Sequence, residues 1–457
     1  MIQNTLGEIQ EMAFGRGLDK KFSDMAINGV TTDSRNVEGD ALFIPIKGDK
    51  FNGHHFAEKA ISLGAAAVLW EESEPNPPQN IPVIYVDDTL IALQQLAKSY
   101  KEKIGVKVIG ITGSNGKTTT KDLVASVLSE AYSVHKTKGN FNNHIGLPLT
   151  LLSMPQTTDV AVLEMGMSAR GEIELLSEIA NPDAAIITNI GESHMAELGS
   201  REGIADAKME IIKGLSPNGQ FIYFGDELLL KERVNQNSFS RKPVTFGKSQ
   251  NNDYYPTEVE QNDKGVTFKA HPFEDSFFIP VLGEHNVWNA LAAAAAGKYF
   301  GLTEEQIKKG LASLEMTAMR LELSKSENGW SIINDAYNAS PTSMHAAVKL
   351  VEDLEGYRRK FVVLGDMLEL GSMEKQFHQE VGEKINPDKV GFVYTYGALG
   401  EEIAKGAKTA FPSDRIKSFT DKEAMIQDLK NHLEKNDLIL VKASRGMKLE
   451  EVVTALI

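Results

Sequence analysis

A glycine-rich segment is the clearest chemical signal in this sequence. It reads Gly113-Ser114-Asn115-Gly116-Lys117-Thr118-Thr119, and it joins the apolar run 106–112 to an amphipathic stretch. In such a setting, backbone N–H groups at a helix N-terminus hold phosphates, the lysine meets the β and γ oxygens, and a hydroxyl can bind Mg²⁺. The common P-loop spacing would need glycine at Ile111, so a simple strand–helix turn with a solvated lysine is the alternative. The flanking strand and helix patterns favour phosphate binding.

A lysine within an apolar helix face is the second signal. At about 100° per residue, the segment 200–215 places Ile204, Ala207 and Ile211 on one face, with Lys208 in its middle. A buried ammonium is costly, so this lysine is paired, neutral through a lowered pKa, or modified. A neutral amine can add CO₂ and become a carbamate, which is a carboxylate-like metal ligand. The alternative is a lysine whose ammonium reaches solvent at the rim of the helix.

Two further side chains follow predicted strands. Glu164 closes the run 159–164, and His194 comes shortly after the run 184–189. The carboxyl ends of parallel strands form the ligand-binding edge of an α/β sheet, so both residues should lie near the glycine-rich segment. Each alone is more typical of a turn or a helix cap. With Thr118 and Lys208, they would place oxygen ligands and an imidazole around Mg²⁺ and a phosphate.

Polar clusters at 140–148, 284–289 and 335–341 are weaker signals, since each also fits a turn or a helix cap. Asn286 and Asn289 are three positions apart and share a helix face, so both amides could face one ligand.

The elements that must position these residues are predicted to form three α/β units. Residues 1–103 alternate helical stretches with strand-like runs at 41–46, 65–70 and 81–86. Residues 104–316 contain strands that end in glycine turns before helices, which predicts a mainly parallel sheet with helices on both faces.

Within that central unit, residues 219–282 suggest hairpin-like strands, and the alanine-rich run 289–297 suggests a helix. Residues 317–457 contain strand-like runs at 330–335, 360–366, 391–397 and 437–444, separated by helical stretches. This spacing predicts a doubly wound, Rossmann-like unit.

Composition limits the possible functions. The chain has 457 residues, a formal net charge of −15 and no cysteine. The charge disfavours nucleic acid as a partner, and the missing thiols exclude disulfides and cysteine nucleophiles. We find no signal peptide and no apolar run long enough to span a bilayer, so we expect a cytoplasmic protein, with a monomer as the default state.

The order of the motifs resembles the Mur ligases, ATP-dependent enzymes that build the peptide stem of bacterial cell-wall precursors. The motifs are GSNGKTT, GNFNNHIGLP, LEMGM with GEI, TNIGESH, AKMEI, GEHNVWNALAA, MRLE and DAYNASP. Within the family, GNFNNHIGLP, DAYNASPTS and LGDMLELG at 364–371 are most similar to the branch that joins D-alanyl-D-alanine (D-Ala-D-Ala) to a UDP-N-acetylmuramoyl-tripeptide. Near the N-terminus, the runs 32–35, 43–48 and 52–56 are similar to that branch's UDP-sugar-binding unit, although Asn52 stands where aspartate is expected.

The resemblance implies roles for individual residues. Lys117, His194 and Lys208 would be catalytic, with Thr118 and Glu164 binding one Mg²⁺ and with His194 and carbamylated Lys208 binding a second. ATP would contact Gly113, Ser114, Asn115, Gly116, Lys117, Thr118, Thr119, Asn289, Arg320, Asp335 and Tyr337. The UDP-tripeptide would contact Thr32, Ser34, Arg35, Lys47, Gly53, His54, Asn140 and Asn143.

The implied reaction proceeds through an acyl phosphate, which the dipeptide amine then attacks. Residues 1–103 would bind the UDP-muramoyl substrate, residues 104–316 would bind ATP, and residues 317–457 would bind D-Ala-D-Ala and close on ATP. A folylpolyglutamate synthetase shares the central pattern but lacks a comparable N-terminal UDP-binding unit. The other alternative is a regulator whose P-loop binds a nucleotide without transferring phosphate.

Overall fold

The computed structural model describes residues 1–48, 50–315, 317 and 319–457. They form an α/β molecule with three main sheets, as the sequence predicted. The N-terminal part has a parallel sheet in the order β3-β4-β7-β8 and two small antiparallel pairs, β1-β2 and β5-β6. Its elements are β1 Gln3–Thr5, α1 Leu6–Met12, β2 Ala26–Asn28, β3 Val30–Thr31, β4 Ala41–Phe43, β5 Lys47–Gly48, β6 Phe51–Asn52, α2 Ala57–Ser62, β7 Ala65–Glu71, β8 Val83–Val86 and α3 Thr89–Ile104.

The central part has a six-stranded parallel sheet in the order β10-β11-β9-β12-β13-β14 and an antiparallel sheet β15-β16-β17. Its elements are β9 Lys107–Thr112, α4 Lys117–Leu128, β10 Val134–Lys136, α5 Gly146–Leu152, β11 Val160–Glu164, α6 Glu172–Ala180, β12 Ala184–Ile187, α7 Met195–Leu198, α8 Arg201–Met209, β13 Gln220–Phe224, α9 Leu228–Asn235, β14 Val244–Phe246, β15 Tyr255–Asn262, β16 Gly265–His271, β17 Ser276–Ile279, α10 Asn286–Tyr299 and α11 Glu304–Ala312.

The C-terminal part has a six-stranded sheet in the order β18-β19-β23-β20-β21-β22, in which only the edge pair β18-β19 is antiparallel. Its elements are β18 Glu322–Lys325, β19 Ser331–Asp335, α12 Pro341–Asp353, β20 Lys360–Gly365, α13 Glu374–Glu383, β21 Phe392–Tyr396, α14 Gly400–Ala407, β22 Ile416–Phe419, α15 Lys422–His432, β23 Leu438–Lys442 and α16 Glu450–Leu456.

The hairpin prediction for 219–282 was wrong in its first half. Strands β13 and β14 pair in parallel within the central sheet, and only β15–β17 form hairpins. The cause is helix α9, which lies between β13 and β14 and provides the crossover that parallel strands require.

Two predicted strands are shorter than their apolar runs. The run 41–46 is a strand only to Phe43, and the run 81–86 begins as a strand at Val83. Pro45 and Pro82 explain both limits, because proline has no N–H to donate within a sheet.

A buried ionic contact joins the central helix α4 to the segment that leads into the C-terminal part. Asp122 Oδ2 accepts hydrogen bonds from the backbone N of Thr317, at 3.0 Å, and from its Oγ1, at 2.7 Å. Lys136 pairs with the other oxygen of Asp122 at 2.6 Å. Thr317 is therefore fixed to the helix that begins in the glycine-rich segment. The predicted domain boundary at Met316 lies outside the described residues, and the three domain ranges remain predictions.

The helices were also searched for a membrane span. Within the described ranges, none is both long and apolar enough to cross a bilayer.

Candidate active site

The glycine-rich segment forms a tight turn between β9 and α4. Gly113 and Gly116 have φ of 151° and 79°. A Cβ at Gly113 would lie 1.8 Å from Thr188 Oγ1, and one at Gly116 would lie 2.6 Å from Asn289 Oδ1. Both positions therefore require glycine. Because the first N–H groups of a helix have no partners within it, this turn presents donors to an anion.

Other residues of the turn are held by the loop after β12. Ser114 Oγ accepts from the Gly191 backbone N at 2.8 Å. The Asn115 backbone N donates to Asn189 Oδ1 at 2.9 Å. These bonds attach the turn to the loop after β12.

Lys117 begins α4 and lies against the turn. Its Nζ donates to the Gly113 carbonyl at 2.7 Å. Burial lowers the pKa of this ammonium, the charge of Arg320 lowers it further, and that of Glu164 raises it. A phosphate bound in the turn would raise this pKa again, because it adds negative charge beside the ammonium.

Thr118, Glu164 and Asn142 form an oxygen-rich group beside the turn. Thr118 Oγ1 donates to Glu164 Oε2 at 3.0 Å, and Asn142 Nδ2 donates to Glu164 Oε1 at 2.9 Å. Glu164 is 3% exposed. A hydroxyl and a carboxylate beside a phosphate-binding turn suit Mg²⁺, which prefers hard oxygen ligands.

Lys208 is buried, with 2% of its surface exposed, so it does not reach solvent as the alternative interpretation required. Within the described ranges its ammonium has no ion pair, and burial together with the charge of Lys117 moves its pKa well below the ordinary value. The neighbouring His194 has its pKa lowered to about 4, by burial and by the charges of Lys117 and Lys208. The imidazole of His194 is therefore neutral near pH 7. Burial shifts Lys208 toward its neutral form, in which the nitrogen carries a lone pair.

The side chains around His194 and Lys208 decide whether a metal ion could bind there. In the part of the chain that the structure describes, no cluster of three or more His, Asp or Glu side chains forms a ready metal site. The imidazole of His194 lies beside two lysine amines, and Glu369 Oε2, 2.9 Å from its Nδ1, does not complete a cation site with it. The unmodified residues therefore do not fit a second cation, and carbamylation of Lys208 would be needed to add a further oxygen ligand.

The C-terminal part contributes several groups to the same place. Ser340 Oγ, at the N-cap of α12, donates to Asn115 Oδ1 at 3.1 Å. Thr342 Oγ1 donates to Glu192 Oε2 at 2.6 Å. Arg320 Nη2 donates to Thr118 Oγ1 at 3.3 Å. These contacts place C-terminal groups directly on the glycine-rich turn and its neighbouring loop.

Two predicted nucleotide-binding residues are held by cationic partners. The Arg320 guanidinium carbon lies 4.2 Å from the centre of the Tyr337 ring. Asp335 forms a buried ion pair with Lys442. Arg320 and Lys442 thereby hold Tyr337 and Asp335 in place.

A cavity of about 430 Å³ lies between the central and C-terminal parts. Its walls include the predicted residues Asn115, Gly116, Thr119, Asn289, Arg320 and Asp335. Asn286 and Asn289 both line this cavity, and Asn289 Nδ2 donates to Asn286 Oδ1 at 2.9 Å. The cavity also contains Trp288, with Lys248 Nζ 4.3 Å from its ring centre. Neither was predicted, since no local motif contains both residues.

The predicted substrate residues of the N-terminal part lie in two places. Arg35 pairs with Asp33 at 2.8 Å in an exposed turn that also contains Thr32 and the buried Ser34. Lys47 pairs with Glu71 at 2.7 Å and Glu74 at 2.6 Å.

The second place also holds Gly53 and His54. Asn52 Nδ2 donates to Glu74 at 3.0 Å, and its Oδ1 lies 2.8 Å from His54 Nδ1. A Cβ at Gly53 would lie 2.5 Å from the Ile46 backbone N, so this turn also requires glycine.

In the central part, Asn140 and Asn143 are exposed on the loop before α5. Asn143 Oδ1 accepts from the Gly146 backbone N at 2.8 Å and so caps that helix. Asn142, between them, contacts Glu164 and was not predicted.

A glycine-rich turn at the start of a helix, an oxygen-rich group beside it and a cavity between two α/β parts are the arrangement of a nucleotide-dependent enzyme of the P-loop type. Three families match this chain: "Mur ligase family, catalytic domain" at 26–101, "Mur ligase middle domain" at 111–297 and "Mur ligase, glutamate ligase domain" at 319–445. The chain belongs to the Mur ligase family.

Several known proteins are similar to this chain over all or nearly all of its length. The UDP-N-acetylmuramoyl-tripeptide--D-alanyl-D-alanine ligase of Bacillus subtilis is 58% identical, over 100% of this chain and 99% of that protein. A crystal structure of MurF from Acinetobacter baumannii has a TM-score of 0.88 and 30% identity, and covers 100% of this chain and 99% of that one. MurF ligase from Thermotoga maritima in complex with ADP has a TM-score of 0.82 and 30% identity, with 94% and 97% covered.

Proposed function

We propose that this chain is the ATP-dependent ligase that joins D-Ala-D-Ala to UDP-N-acetylmuramoyl-tripeptide during synthesis of the peptidoglycan precursor. The observation that carries this function is the 58% identity, over the entire chain, to the Bacillus subtilis ligase of that name. The residues around the glycine-rich turn suit this chemistry.

The reaction begins when the terminal carboxylate of the tripeptide attacks the γ-phosphorus of ATP. A P–O bond forms, ADP leaves, and the product is an acyl phosphate. The amine of D-Ala-D-Ala then attacks the acyl carbon, phosphate leaves, and the amine loses a proton. Both reactants of the first step are anions, so the rate depends on neutralising charge and on aligning the attacking oxygen.

The residues of the turn meet these needs. The N–H groups at the start of α4 would hold the phosphates, and Lys117 would lie against the β and γ oxygens. Arg320, which reaches Thr118 Oγ1 at 3.3 Å, would approach the same phosphate from the C-terminal side. Gly113, Ser114, Gly116 and Thr119 would complete the cradle.

Mg²⁺ would be held by Thr118 and Glu164, and a second ion by His194 and carbamylated Lys208; bound cations lower the charge of the transferring phosphate. Asn142 fixes Glu164 through its 2.9 Å hydrogen bond, so the carboxylate keeps one orientation. The low pKa of Lys208 supports carbamylation, because only the neutral amine adds CO₂.

Water must be kept from the acyl phosphate. Ser340 and Thr342 bond across to Asn115 and Glu192, so the C-terminal part covers the turn. We propose that residues 317–457 bind D-Ala-D-Ala and close on ATP, with Asp335 and Tyr337 on the closing face.

We propose that residues 1–103 bind the UDP-sugar through Thr32, Ser34, Arg35, Lys47, Gly53 and His54, and that Asn140 and Asn143 place the tripeptide. The central ATP-binding domain would then comprise residues 104–316. We further propose that the enzyme acts as a monomer in the cytoplasm, where ATP and nucleotide-activated sugars are available.

The experiment is a coupled ADP-release assay. It contains ATP, Mg²⁺, D-Ala-D-Ala and a UDP-tripeptide with either lysine or diaminopimelate at its third position. We expect ADP release only when tripeptide and dipeptide are both present, and loss of release in Lys117→Ala. Nucleotide binding without release for either tripeptide would instead favour a regulator, and release with a folate substrate would favour the folylpolyglutamate synthetase alternative.

A further inference from the structure

A closed ring of polar contacts surrounds Lys47 in the N-terminal part. Strands β5 and β6 pair so that Lys47 lies directly opposite Asn52, which puts both side chains on one face of the pair. The carboxylates of Glu71, at the end of β7, and of Glu74 both pair with the Lys47 ammonium. His54, two residues after β6, completes the ring because it contacts both Asn52 and Glu71.

The hydrogen bonds of His54 have a fixed direction. Its Nε2 lies 3.3 Å from the backbone N of Glu71, which can only donate, so Nε2 carries no proton. Burial lowers the pKa of His54, so the ring is neutral near pH 7 and its one proton is on Nδ1. Nδ1 therefore donates to Asn52 Oδ1, at 2.8 Å. Both ring nitrogens are engaged and the residue is 4% exposed, so His54 has no polar group left for a substrate.

Asn52 carries this direction on to the carboxylates. Because its Oδ1 accepts from His54, its Nδ2 is free to donate to Glu74 Oε2, at 3.0 Å. The other oxygen of Glu74 pairs with Lys47 at 2.6 Å. An aspartate at position 52 could not donate to Glu74. The chain of contacts from His54 to Lys47 therefore depends on the asparagine that stands where aspartate was expected.

Lys47 keeps one donor for a ligand. An ammonium has three N–H groups, and Glu71 at 2.7 Å and Glu74 at 2.6 Å engage two of them. The side chain is 41% exposed, so a ligand can approach the ammonium from solvent. One positive and two negative charges lie together here, and their excess of negative charge disfavours a phosphate. A neutral oxygen, such as a base carbonyl or a sugar hydroxyl, is the acceptor that fits.

We propose that Lys47 donates to a neutral oxygen of the UDP-sugar, and that His54 and Asn52 are positioning residues that hold its ammonium for this contact. His54 orients Asn52, Asn52 orients Glu74, and Glu74 together with Glu71 fixes Lys47. This inference rests on the proposed function, in which residues 1–103 bind the UDP-sugar. It places the contribution of His54 at Lys47 rather than at the substrate itself.

The first test measures binding of the UDP-tripeptide to the full chain, and its displacement by UDP and by uridine. We expect Lys47→Met to weaken the UDP-tripeptide by about tenfold and His54→Leu by roughly three- to tenfold, as for a lost hydrogen bond to a charged group. His54→Gln should lose less, because its amide can replace one of the two hydrogen bonds. The matched control is His55→Leu, at the exposed neighbouring position, which should change nothing.

The three probes locate the oxygen. An equal loss for uridine, UDP and the UDP-tripeptide in Lys47→Met places it on the nucleoside. A loss confined to the UDP-tripeptide places it on the muramoyl sugar, and either result supports the inference. A loss for UDP and the UDP-tripeptide without a loss for uridine would overturn it, because Lys47 would then contact a phosphate.

A double variant tests the positioning role. If His54 acts through Lys47, His54→Leu should cost no further affinity in the Lys47→Met background, whereas losses that add would overturn this role. The KM for ATP should stay constant in every variant, which shows that the chain remains folded. A purely structural role would lower the Tm of His54→Leu equally in both backgrounds without this coupling in affinity. Failure of the unaltered protein to bind the UDP-tripeptide would instead count against the proposed function.

Discussion

Lys208 occupies a position that folding alone disfavours. Its ammonium is buried without an ion pair among the described residues, and its pKa is well below the ordinary lysine value. The unfolded chain takes up a proton at this lysine below about pH 10.4, so the folded state loses stability as pH falls below that value. A residue retained at such a cost is expected to serve the reaction.

We expect Lys208→Met to abolish ligation while raising the free energy of unfolding by about 1 kcal/mol or more. The thioether fills similar space without a group that must lose its charge. The matched control is Lys213→Met, at an exposed position just beyond α8, which should change neither quantity. Ligase activity and urea unfolding measure both. Normal activity in the Met variant would exclude Lys208 from the reaction.

Carbamylation itself is tested by Lys208→Ala. We expect short carboxylates such as formate or acetate to restore part of the lost activity by replacing the carbamate. No restoration, combined with bicarbonate-independent activity of the unaltered protein, would argue that the free amine acts instead.

Asn52 suits its acidic surroundings. Its amide donates to Glu74, which shares Lys47 with Glu71. An aspartate would lose this donor and would repel Glu74. We expect Asn52→Asp to destabilise the protein by about 1 kcal/mol, and Asn52→Asp combined with Glu74→Gln to recover most of that loss. Thermal unfolding of the single and double variants measures the coupling between the two positions. If the stability losses of the two single variants simply add in the double variant, the explanation is wrong.

At the scale of elements, α12 carries the contact between the C-terminal part and the glycine-rich turn. Ser340 caps this helix through a capping box and also donates to Asn115. One hydroxyl therefore serves both the stability of the helix and its docking.

We expect Ser340→Ala to cost about 1 kcal/mol of stability and to raise the KM for ATP by roughly three- to tenfold. The control is Thr303→Ala, which removes the same kind of capping box from α11 on the surface. Both variants should lose similar stability, and only Ser340→Ala should change the KM. Equal KM values would show that the contact with Asn115 does not assist nucleotide binding.

The sequence predicts those features that depend on residues close to one another in the chain. The glycine-rich turn and the buried position of Lys208 follow from local spacing, and both were found. The β13-β14 pairing was missed because α9 was not recognised as a crossover. Ser340 and Glu369 were not assigned roles, because their contacts join parts of the chain more than 150 residues apart.

At the scale of the whole molecule, two histidines should set the acid limit of stability. The pKa values of His194 and His285 are both about 4 in the folded protein, mainly through burial. The unfolded chain protonates them near pH 6.5, so it binds more protons between pH 6.5 and 4. Stability should therefore fall as the pH drops through this window.

We expect His194→Asn and His285→Asn each to flatten the pH dependence of the free energy of unfolding between pH 6.5 and 4. Urea titrations at several pH values measure this slope. His55→Asn, at an exposed position, controls for the removal of a histidine. If the slope is unchanged in both buried-site variants, the loss of stability at acid pH is not caused by His194 and His285.

The fixed contact between Asp122 and Thr317 has a mechanical consequence. Asp122 lies five residues after Lys117 on α4, which is about 8 Å along the helix axis. If Thr317 is the pivot of the C-terminal part, displacement during rotation grows with distance from it. Arg320 is only three residues from Thr317 in the chain, so it would stay near the glycine-rich turn throughout. Its guanidinium would then not have to be realigned each time the C-terminal part moves.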